Sequence, residues 1–229
     1  MVYVTGDMHG NISALYNYFQ DECLTKDDIL IVLGDFGVIW NNKDLAMMGL
    51  QLLSEKKCTI AFVDGNHEGY DLLKKMEEDI WWNGDRAGLL PYGIIHLYRG
   101  SIYTIEGKTF GVCGGADSVD KALRTEGSSW WAAETITQSD VDLLLSNAKK
   151  YDNHLDYMLT HDAPENQACF LAAMTGISNF KTSTSQQMLT QIQKALKIDK
   201  GFFGHWHMNL NLPGNSDYMG LYQKVVELR

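Results

Sequence analysis

Residues 1–10, MVYVTGDMHG, hold the pattern that decides the fold. Met1–Thr5 is a short, mostly apolar run, which predicts a buried strand. The run stops at a glycine, and Asp7 and His9 follow it closely. Ligands of parallel α/β sheets bind beyond the carboxyl ends of the strands, so this stretch predicts a functional site where the first strand ends.

Two further apolar runs, Ile29–Leu33 and Thr59–Val63, predict strands of the same kind. Helical spacing of apolar residues occurs between the three runs and after the third, at Ile12–Phe19, Leu45–Leu53 and Tyr70–Met76. This β-α-β-α-β-α order predicts a parallel sheet with crossover helices.

The second half of the chain predicts a further, more antiparallel sheet. Two strand-like segments, Ser101–Ile105 and Lys108–Cys113, are separated by a glutamate and a glycine, which predicts a hairpin. The other predicted elements are strands at Ile94–Leu97, Leu155–Thr160 and Gly201–Phe203, helices from Thr137 to about Asn147 and at Ser183–Leu196, and a final strand or hairpin arm at Tyr218–Leu228. We expect a single α/β domain over residues 1–229.

The predicted strand ends share an unusual set of polar residues. Five of the seven histidines lie there, together with carboxylates and an amide. The candidate metal ligands are Asp7, His9, Asp35, Asn66, His161, His205 and His207. Imidazole mixed with carboxylate and amide oxygen suits Zn, Mn, Fe, Co or Ni. Seven ligands are too many for one ion but are about right for two ions that share a carboxylate and clamp phosphoryl oxygens.

Spacing sharpens this expectation. In extended backbone, residues two apart point to the same side, so Asp7 with His9, and His205 with His207, should each reach one place. Asn66 and His67 are adjacent and should point apart. We therefore expect one of them to bind metal and the other to face the substrate as an acid.

Charge and cysteine content limit the classes of function. The formal net charge of −10 and pI of about 5.1 are unfavourable for binding long nucleic acid or an anionic membrane. No apolar run approaches the ~18 residues of a membrane span. The four cysteines, Cys23, Cys58, Cys113 and Cys169, form no CxxC pair, which indicates reduced, mostly buried thiols and a cytoplasmic protein.

Five motifs together resemble those of the calcineurin-like metallophosphoesterases. They are GDMHG (6–10), GD (34–35), GNHE (65–68), H (161) and GHWH (204–207), in the family's order of D-x-H, G-D, G-N-H-[DE], H and G-H-x-H. The resemblance implies a four-layer α/β/β/α sandwich of two mixed β-sheets, with a dinuclear metal centre at the carboxyl ends of the strands. It also implies a metal-dependent phosphoesterase.

The resemblance carries over motif by motif to the residues of this chain. Asp7, His9 and His207 would bind one ion, Asn66, His161 and His205 the other, and Asp35 would bridge the two. His67 would be the catalytic residue beside the scissile phosphate, as a proton donor to the leaving oxygen or a stabiliser of the transition state. The cofactors would be two divalent ions, with manganese, iron, zinc, cobalt and nickel all open.

One departure from the family narrows the substrate class. Protein Ser/Thr phosphatases continue the second motif as G-D-x-x-D-R-G, whereas Asp35 is followed here by Phe-Gly-Val. The chain thus looks more like members that cleave small phosphodiesters, nucleotides or phosphomonoesters. Two alternatives are a non-catalytic metal-binding scaffold for protein interaction and a nuclease on short nucleic acid. The sequence leaves the substrate and the oligomeric state open.

The irregular segment Gly114–Ile136 contains Arg124, which we regard as a candidate substrate-binding residue, and a tryptophan pair, Trp130-Trp131. A second pair, Trp81-Trp82, raises the same choice between stacking on a substrate and packing on the core. Near the third motif, Asp64 is a candidate partner for a ligand histidine, and Glu68 is expected only to start a helix.

Overall fold

The computed structural model describes residues 1–13, 24–212 and 217–228. The first sheet has seven strands in the spatial order β13-β1-β2-β3-β6-β5-β4. They are β1 (Val2–Thr5), β2 (Ile29–Leu33), β3 (Thr59–Val63), β4 (Glu78–Trp82), β5 (Asp85–Leu89), β6 (Ile95–Leu97) and β13 (Val226–Leu228). Strands β1, β2, β3 and β6 are parallel, and the flanking strands are antiparallel.

The second sheet has six strands in the order β11-β12-β10-β9-β8-β7. They are β7 (Ile102–Ile105), β8 (Lys108–Cys113), β9 (His154–Thr160), β10 (Lys197–Phe203), β11 (Leu210–Leu212) and β12 (Asp217–Gly220). The four central strands run parallel, and each edge strand, β11 or β7, runs antiparallel to its neighbour. Both sheets are therefore mixed.

Five described α-helices cover the outer faces of the sheets. They are α1 (Lys43–Ser54), α2 (Tyr70–Met76), α3 (Gln138–Ala148), α4 (Glu165–Met174) and α5 (Thr184–Ala195). One buried cluster lies between the sheets and includes Ile31, Val63, Val112 and Leu159. Separate clusters lie between the first sheet and α1 and α2, and between the second sheet and α3 and α5. The arrangement is thus helix, sheet, sheet, helix, as expected.

Most predicted elements are confirmed, and α3 begins with the expected capping box at Thr137. The predicted strand Tyr218–Leu228 is wrong. The chain turns after β12, where Leu221 N–H donates to Phe203, and β13 then joins the other sheet. The predicted helix Ile12–Phe19 lies mostly outside the described residues, as does Cys23.

Three elements were not predicted, namely the β4–β5 hairpin, helix α4 and strand β11. The hairpin turns at Asn83-Gly84, where both residues have positive φ. Asn-Gly is a strong signal for such a turn, but the hairpin lies at the sheet edge, so its strands lack a continuous apolar run.

Gly114–Ile136 is irregular, as predicted, with two short 3₁₀ turns at Lys121–Leu123 and Ala132–Glu134. Cys58 and Cys113 are buried thiols, whereas Cys169 is exposed. No helix among the described residues is long and apolar enough to cross a membrane.

Candidate metal centre

The predicted ligands converge where the carboxyl ends of β1, β2 and β3 meet those of β9 and β10. Asp7, His9 and His207 form one group, whose ligand atoms all lie within 4.8 Å of one another. His207 Nε2 is 2.9 Å from Asp7 Oδ2 and 3.0 Å from His9 Nε2. The first and last motifs of the chain thus meet in one place.

A second group contains Asp35, His161 and His205. His161 Nε2 lies 3.1 Å from Asp35 Oδ1 and 3.1 Å from Asn66 Oδ1, which brings the amide into the same group. Asp35 Oδ2 lies 3.7 Å from His9 Nδ1 of the first group. The two oxygens of Asp35 therefore face the two groups.

The polar atoms at this edge fit a cation. His161 Nδ1 lies 2.8 Å from the Leu33 carbonyl, to which it donates, so Nε2 presents a lone pair to two oxygen acceptors. Asp7 Oδ2 is buried and makes no well-aligned hydrogen bond to a described residue. Two imidazole nitrogens of the first group also face each other. Close contacts between two acceptor atoms, and a buried oxygen without a donor, are unfavourable unless a proton or a metal ion interacts with these atoms.

The pKa values show the same demand for positive charge. Burial alone would lower the pKa of His161, but the charge of Asp35 and its hydrogen bond raise it to about 10. Burial would raise the pKa of Asp35, but His161 lowers it well below its usual range. The carboxylates therefore favour a positive charge at His161.

The backbone at this edge differs from the prediction. We expected extended residues, but His9, Asp35, His205 and His207 all have φ between 47° and 62°. Left-handed backbone costs about 1 kcal/mol or more at each non-glycine residue. His205 and His207 consequently reach different groups, so the argument from two-residue spacing was wrong for this pair.

Two glycines permit the ligands of one sheet to pack against the other sheet. A Cβ at Gly34, after β2, would overlap the His161 ring, which follows β9. A Cβ at Gly204, after β10, would overlap Asp7 Oδ1, which follows β1. The close approach of the two sheet ends thus requires glycine at both positions.

His67 lies at the open side of this edge, half-buried. Its backbone N–H donates to Asp35 Oδ1 at 2.8 Å, and its ring stacks on Trp40 with centroids 5.9 Å apart. Arg124 Nη2 is 3.4 Å from His67 Nε2. A guanidinium cannot accept, so the imidazole accepts here, and burial, with a further effect of Arg124, lowers the pKa of His67.

The tryptophans divide between the site and the sheet edge. Trp131 is buried, packs edge-on against Trp40 and donates to Asp71. Trp130 is half-buried and has the Lys121 ammonium 5.2 Å from its ring centre. Trp81 is 72% exposed on β4, and Trp82 packs against Tyr103. Of the two tryptophan pairs, 130–131 therefore reaches the candidate centre, through the contact of Trp131 with Trp40.

Several supporting residues were missed by sequence reasoning or assigned wrongly. Asp64 was a candidate partner for a ligand histidine, but it pairs instead with Arg99 and Tyr70. Glu68 does more than start a helix, because its buried carboxylate accepts the N–H groups of Phe36 and Gly37. Aspartate and glutamate are common residue types, so only the fold reveals these contacts.

Comparison with known proteins identifies the family. A model of the calcineurin-like phosphoesterases matches residues 1–209 of the 229-residue chain. The chain belongs to this family. It is thus a metal-dependent phosphoesterase, and the cluster of histidines and carboxylates supplies residues that could bind the metal.

A solved structure supports the same fold for this phosphoesterase. The protein TT1561 of Thermus thermophilus is 12% identical and superposes with a TM-score of 0.53, over 97% of this chain and 89% of that one. Phosphopantetheinyl hydrolase of Mycobacterium tuberculosis is 16% identical over the same shares of the two chains, with a TM-score of 0.44. Comparison with curated proteins gives no match.

Proposed function

We propose that the phosphoesterase is a dinuclear enzyme that hydrolyses a small phosphodiester, nucleotide or phosphomonoester. The position of Asp35 is the single observation that carries the proposal. Its two oxygens face the two groups of nitrogen and oxygen ligands, at 3.1 Å from His161 and 3.7 Å from His9. A carboxylate can give one oxygen to each of two ions, whereas an imidazole cannot.

Each group would hold one divalent ion. The ligands of the first would be Asp7, His9 and His207, those of the second Asn66, His161 and His205, and Asp35 would be common to both. Two bound ions supply Lewis acidity and an activated water for in-line attack on phosphorus. The Leu33 carbonyl orients His161, since it accepts Nδ1–H and leaves Nε2 for the metal.

His67 and Arg124 would act on the substrate. Their side chains meet at one point beside the metal groups, where a phosphoryl or leaving-group oxygen can accept hydrogen bonds from both. Arg124 is held by Asp120 at 2.8 Å and by the Ser129 carbonyl at 3.2 Å, so its guanidinium is oriented before substrate arrives. We assign Arg124 as the phosphate-binding residue and His67 as the acid for the leaving oxygen. For that role, His67 Nε2 must give up the hydrogen bond from Arg124 and carry a proton once substrate is bound.

The surroundings of the centre favour a small substrate. Asp35 is followed by Phe36 and Gly37, so this loop lacks the acid and the arginine that follow the same motif in protein Ser/Thr phosphatases. The net charge of −10 disfavours a long polyanion. Soluble metabolite-sized phosphoesters in a cytoplasmic setting fit both observations.

The first experiment strips the purified chain with chelator and restores Mn, Zn, Fe, Co or Ni separately. We expect about two ions per chain and hydrolysis of an aryl phosphomonoester or a bis-aryl phosphodiester. Preference between these compounds decides between phosphatase and phosphodiesterase. His67→Ala should keep the metal but lose most turnover. Binding of fewer than two ions by a folded, active protein would contradict the dinuclear proposal.

A further inference from the structure

The side chain of Asn66 poses a problem of orientation. Its oxygen can bind a cation, but its NH₂ group, of nearly the same shape, cannot. Asn66 is 4% exposed, so water does not select between the two orientations. Some buried partner must therefore distinguish the oxygen from the nitrogen.

That partner is a two-residue relay on the irregular loop. Asn66 Nδ2 donates to Ser118 Oγ at 3.2 Å, and Ser118 Oγ donates to Glu134 Oε2 at 2.9 Å. Ser118 N–H donates to the other oxygen of Glu134 at 2.7 Å. Ser118 is 5% exposed and Glu134 is fully buried.

The direction of the relay follows from hydrogen-bond chemistry. A carboxylate only accepts, and Glu134 Oε1 also lies 3.3 Å from Lys121 Nζ, a further donor. The single hydroxyl proton of Ser118 must then point to Glu134, which leaves a lone pair toward Asn66. Only the NH₂ group of Asn66 can meet that lone pair, so Oδ1 faces His161.

We infer that Ser118 and Glu134 are positioning residues that hold Asn66 with its oxygen toward the second metal group. The inference rests on the proposed function, in which Asn66 is a ligand. It also gives the loop 114–136 a defined role, since a segment that carries Arg124 toward the substrate is joined to the metal site through one buried hydroxyl. The relay partners lie 52 and 16 positions apart in the chain.

Binding of Mn²⁺ to the metal-free chain, followed by calorimetry and by electron paramagnetic resonance, tests the relay. Ser118→Ala should weaken one of the two Mn²⁺ sites by about 10–100-fold and leave the other nearly unchanged. Glu134→Gln should act in the same direction, because only one of its two polar atoms can accept. Ser118→Thr keeps the hydroxyl and should restore binding, and Ser128→Ala, on the exposed part of the loop, is the control.

A double substitution tests whether Ser118 selects the orientation of the Asn66 side chain or only packs against it. In Asn66→Asp both side-chain oxygens accept, so the choice of orientation disappears. Adding Ser118→Ala to Asn66→Asp should then cost less than about threefold in Mn²⁺ affinity, well below the loss expected for a disrupted ligand partner. An equal loss in both backgrounds would overturn the relay, as would a Ser118→Ala variant that binds two ions like wild type. Thermal unfolding of each metal-free variant shows that it is folded.

The outcomes also distinguish the two proposals. If the wild type binds two ions and Ser118→Ala does too, with unchanged affinity, only the relay fails. If the wild type binds fewer than two, the dinuclear proposal fails and the relay fails with it.

Discussion

Two buried acid–base clusters meet at the third motif, and they differ in the source of their positive charge. In the metal cluster, the buried carboxylates of Asp7 and Asp35 form their charged side-chain contacts with histidines, at 2.9 Å from His207 and 3.1 Å from His161. In the neighbouring cluster, Asp64 binds the guanidinium of Arg99 and lies 3.6 Å from His96. The second cluster is thus charge-balanced by the chain itself, whereas the first is balanced by whatever cation enters.

Both clusters shift pKa values in the same directions. Burial would lower the pKa of His96, but Asp64 and Glu77 raise it to about 9, much as Asp35 raises that of His161. A perturbed pKa therefore does not distinguish a binding site from a structural ion pair. The distinction lies in geometry, because Arg99 completes one cluster, whereas the ligand atoms of the other converge from five strand ends without an arginine or lysine of the described chain among them.

The largest expected effect comes from removing the carboxylate of Asp35, which is shared by the two ligand groups. Asp35→Asn should lower kcat/KM by at least about 10³-fold, because metal polarisation contributes several kcal/mol to the transition state. The metal-free protein should still fold, since the amide oxygen still accepts from His67 N–H, but it should be less stable than wild type because the buried pair of Asp35 with His161 is lost. Phosphoesterase assays and urea unfolding measure the two effects, and Asp156→Asn, on β9, is the off-site control. Full activity in Asp35→Asn would contradict a bridging role.

The opposite result is expected in the charge-balanced cluster. Arg99→Met should cost about 3–5 kcal/mol of unfolding free energy, because it leaves Asp64 buried without its cation. Arg86→Met removes the exposed pair with Asp79 and should change stability little. Urea unfolding of the metal-free proteins measures both. Equal effects of the two substitutions would show that burial of the pair does not matter.

The pH dependence of stability tests the charge-balanced cluster separately, through substitution of His96. His96 lies 2.7 Å from Glu77 and 3.6 Å from Asp64, and its pKa is raised from 6.5 to about 9. A histidine whose pKa is higher in the folded than in the unfolded protein stabilises the fold when it is protonated in both states. The contribution of His96 is therefore complete below about pH 6.5 and is lost as the pH rises through 9. A shift of this size corresponds to at most about 3 kcal/mol. In His96→Gln, unfolding free energy between about pH 6.5 and 9 should vary less than in wild type.

The smallest expected effect concerns the substrate side of the metal cluster. Arg124→Lys should lower kcat/KM by about tenfold, because an ammonium lacks the planar fork that fits a phosphate. Unfolding free energy and bound metal should stay unchanged, since Arg124 is half-buried on the loop and is not in either metal group. Arg86→Lys is the matched control, and steady-state kinetics with both aryl esters is the measurement. A pure loss of metal in Arg124→Lys would assign this residue to the metal centre instead.

The two clusters also differ in how far the sequence foretold them. The convergence of the candidate ligands could be predicted because histidines and carboxylates rarely gather at the ends of apolar runs, and the order of strands brings those ends together. Arg99 and Asp64 are 35 positions apart and belong to no motif. Their pairing depends on the approach of the loop before β7 to the end of β3, which only the folded chain shows.

Local conformation was the other limit. The strands and most helices follow apolar periodicity, so their positions were predictable to within a few residues. The left-handed backbone at His9, Asp35, His205 and His207 was not, because aspartate and histidine adopt it more often than most residues but only at a minority of positions. Ser118 and Glu134 escaped notice for a similar reason, since serine and glutamate are ordinary loop residues until a buried amide needs them.

The two glycine contacts between the sheets have a consequence for engineering. Gly34 of the first sheet accommodates His161 of the second, and Gly204 of the second accommodates Asp7 of the first. Each of these motifs therefore depends on a glycine in another motif. If the Asp7 segment were placed in a scaffold without a glycine at the position facing it, a side chain there would occupy the space of the Asp7 carboxylate. A designer who wants this centre elsewhere must copy the contacts between motifs, with the ligands following from them.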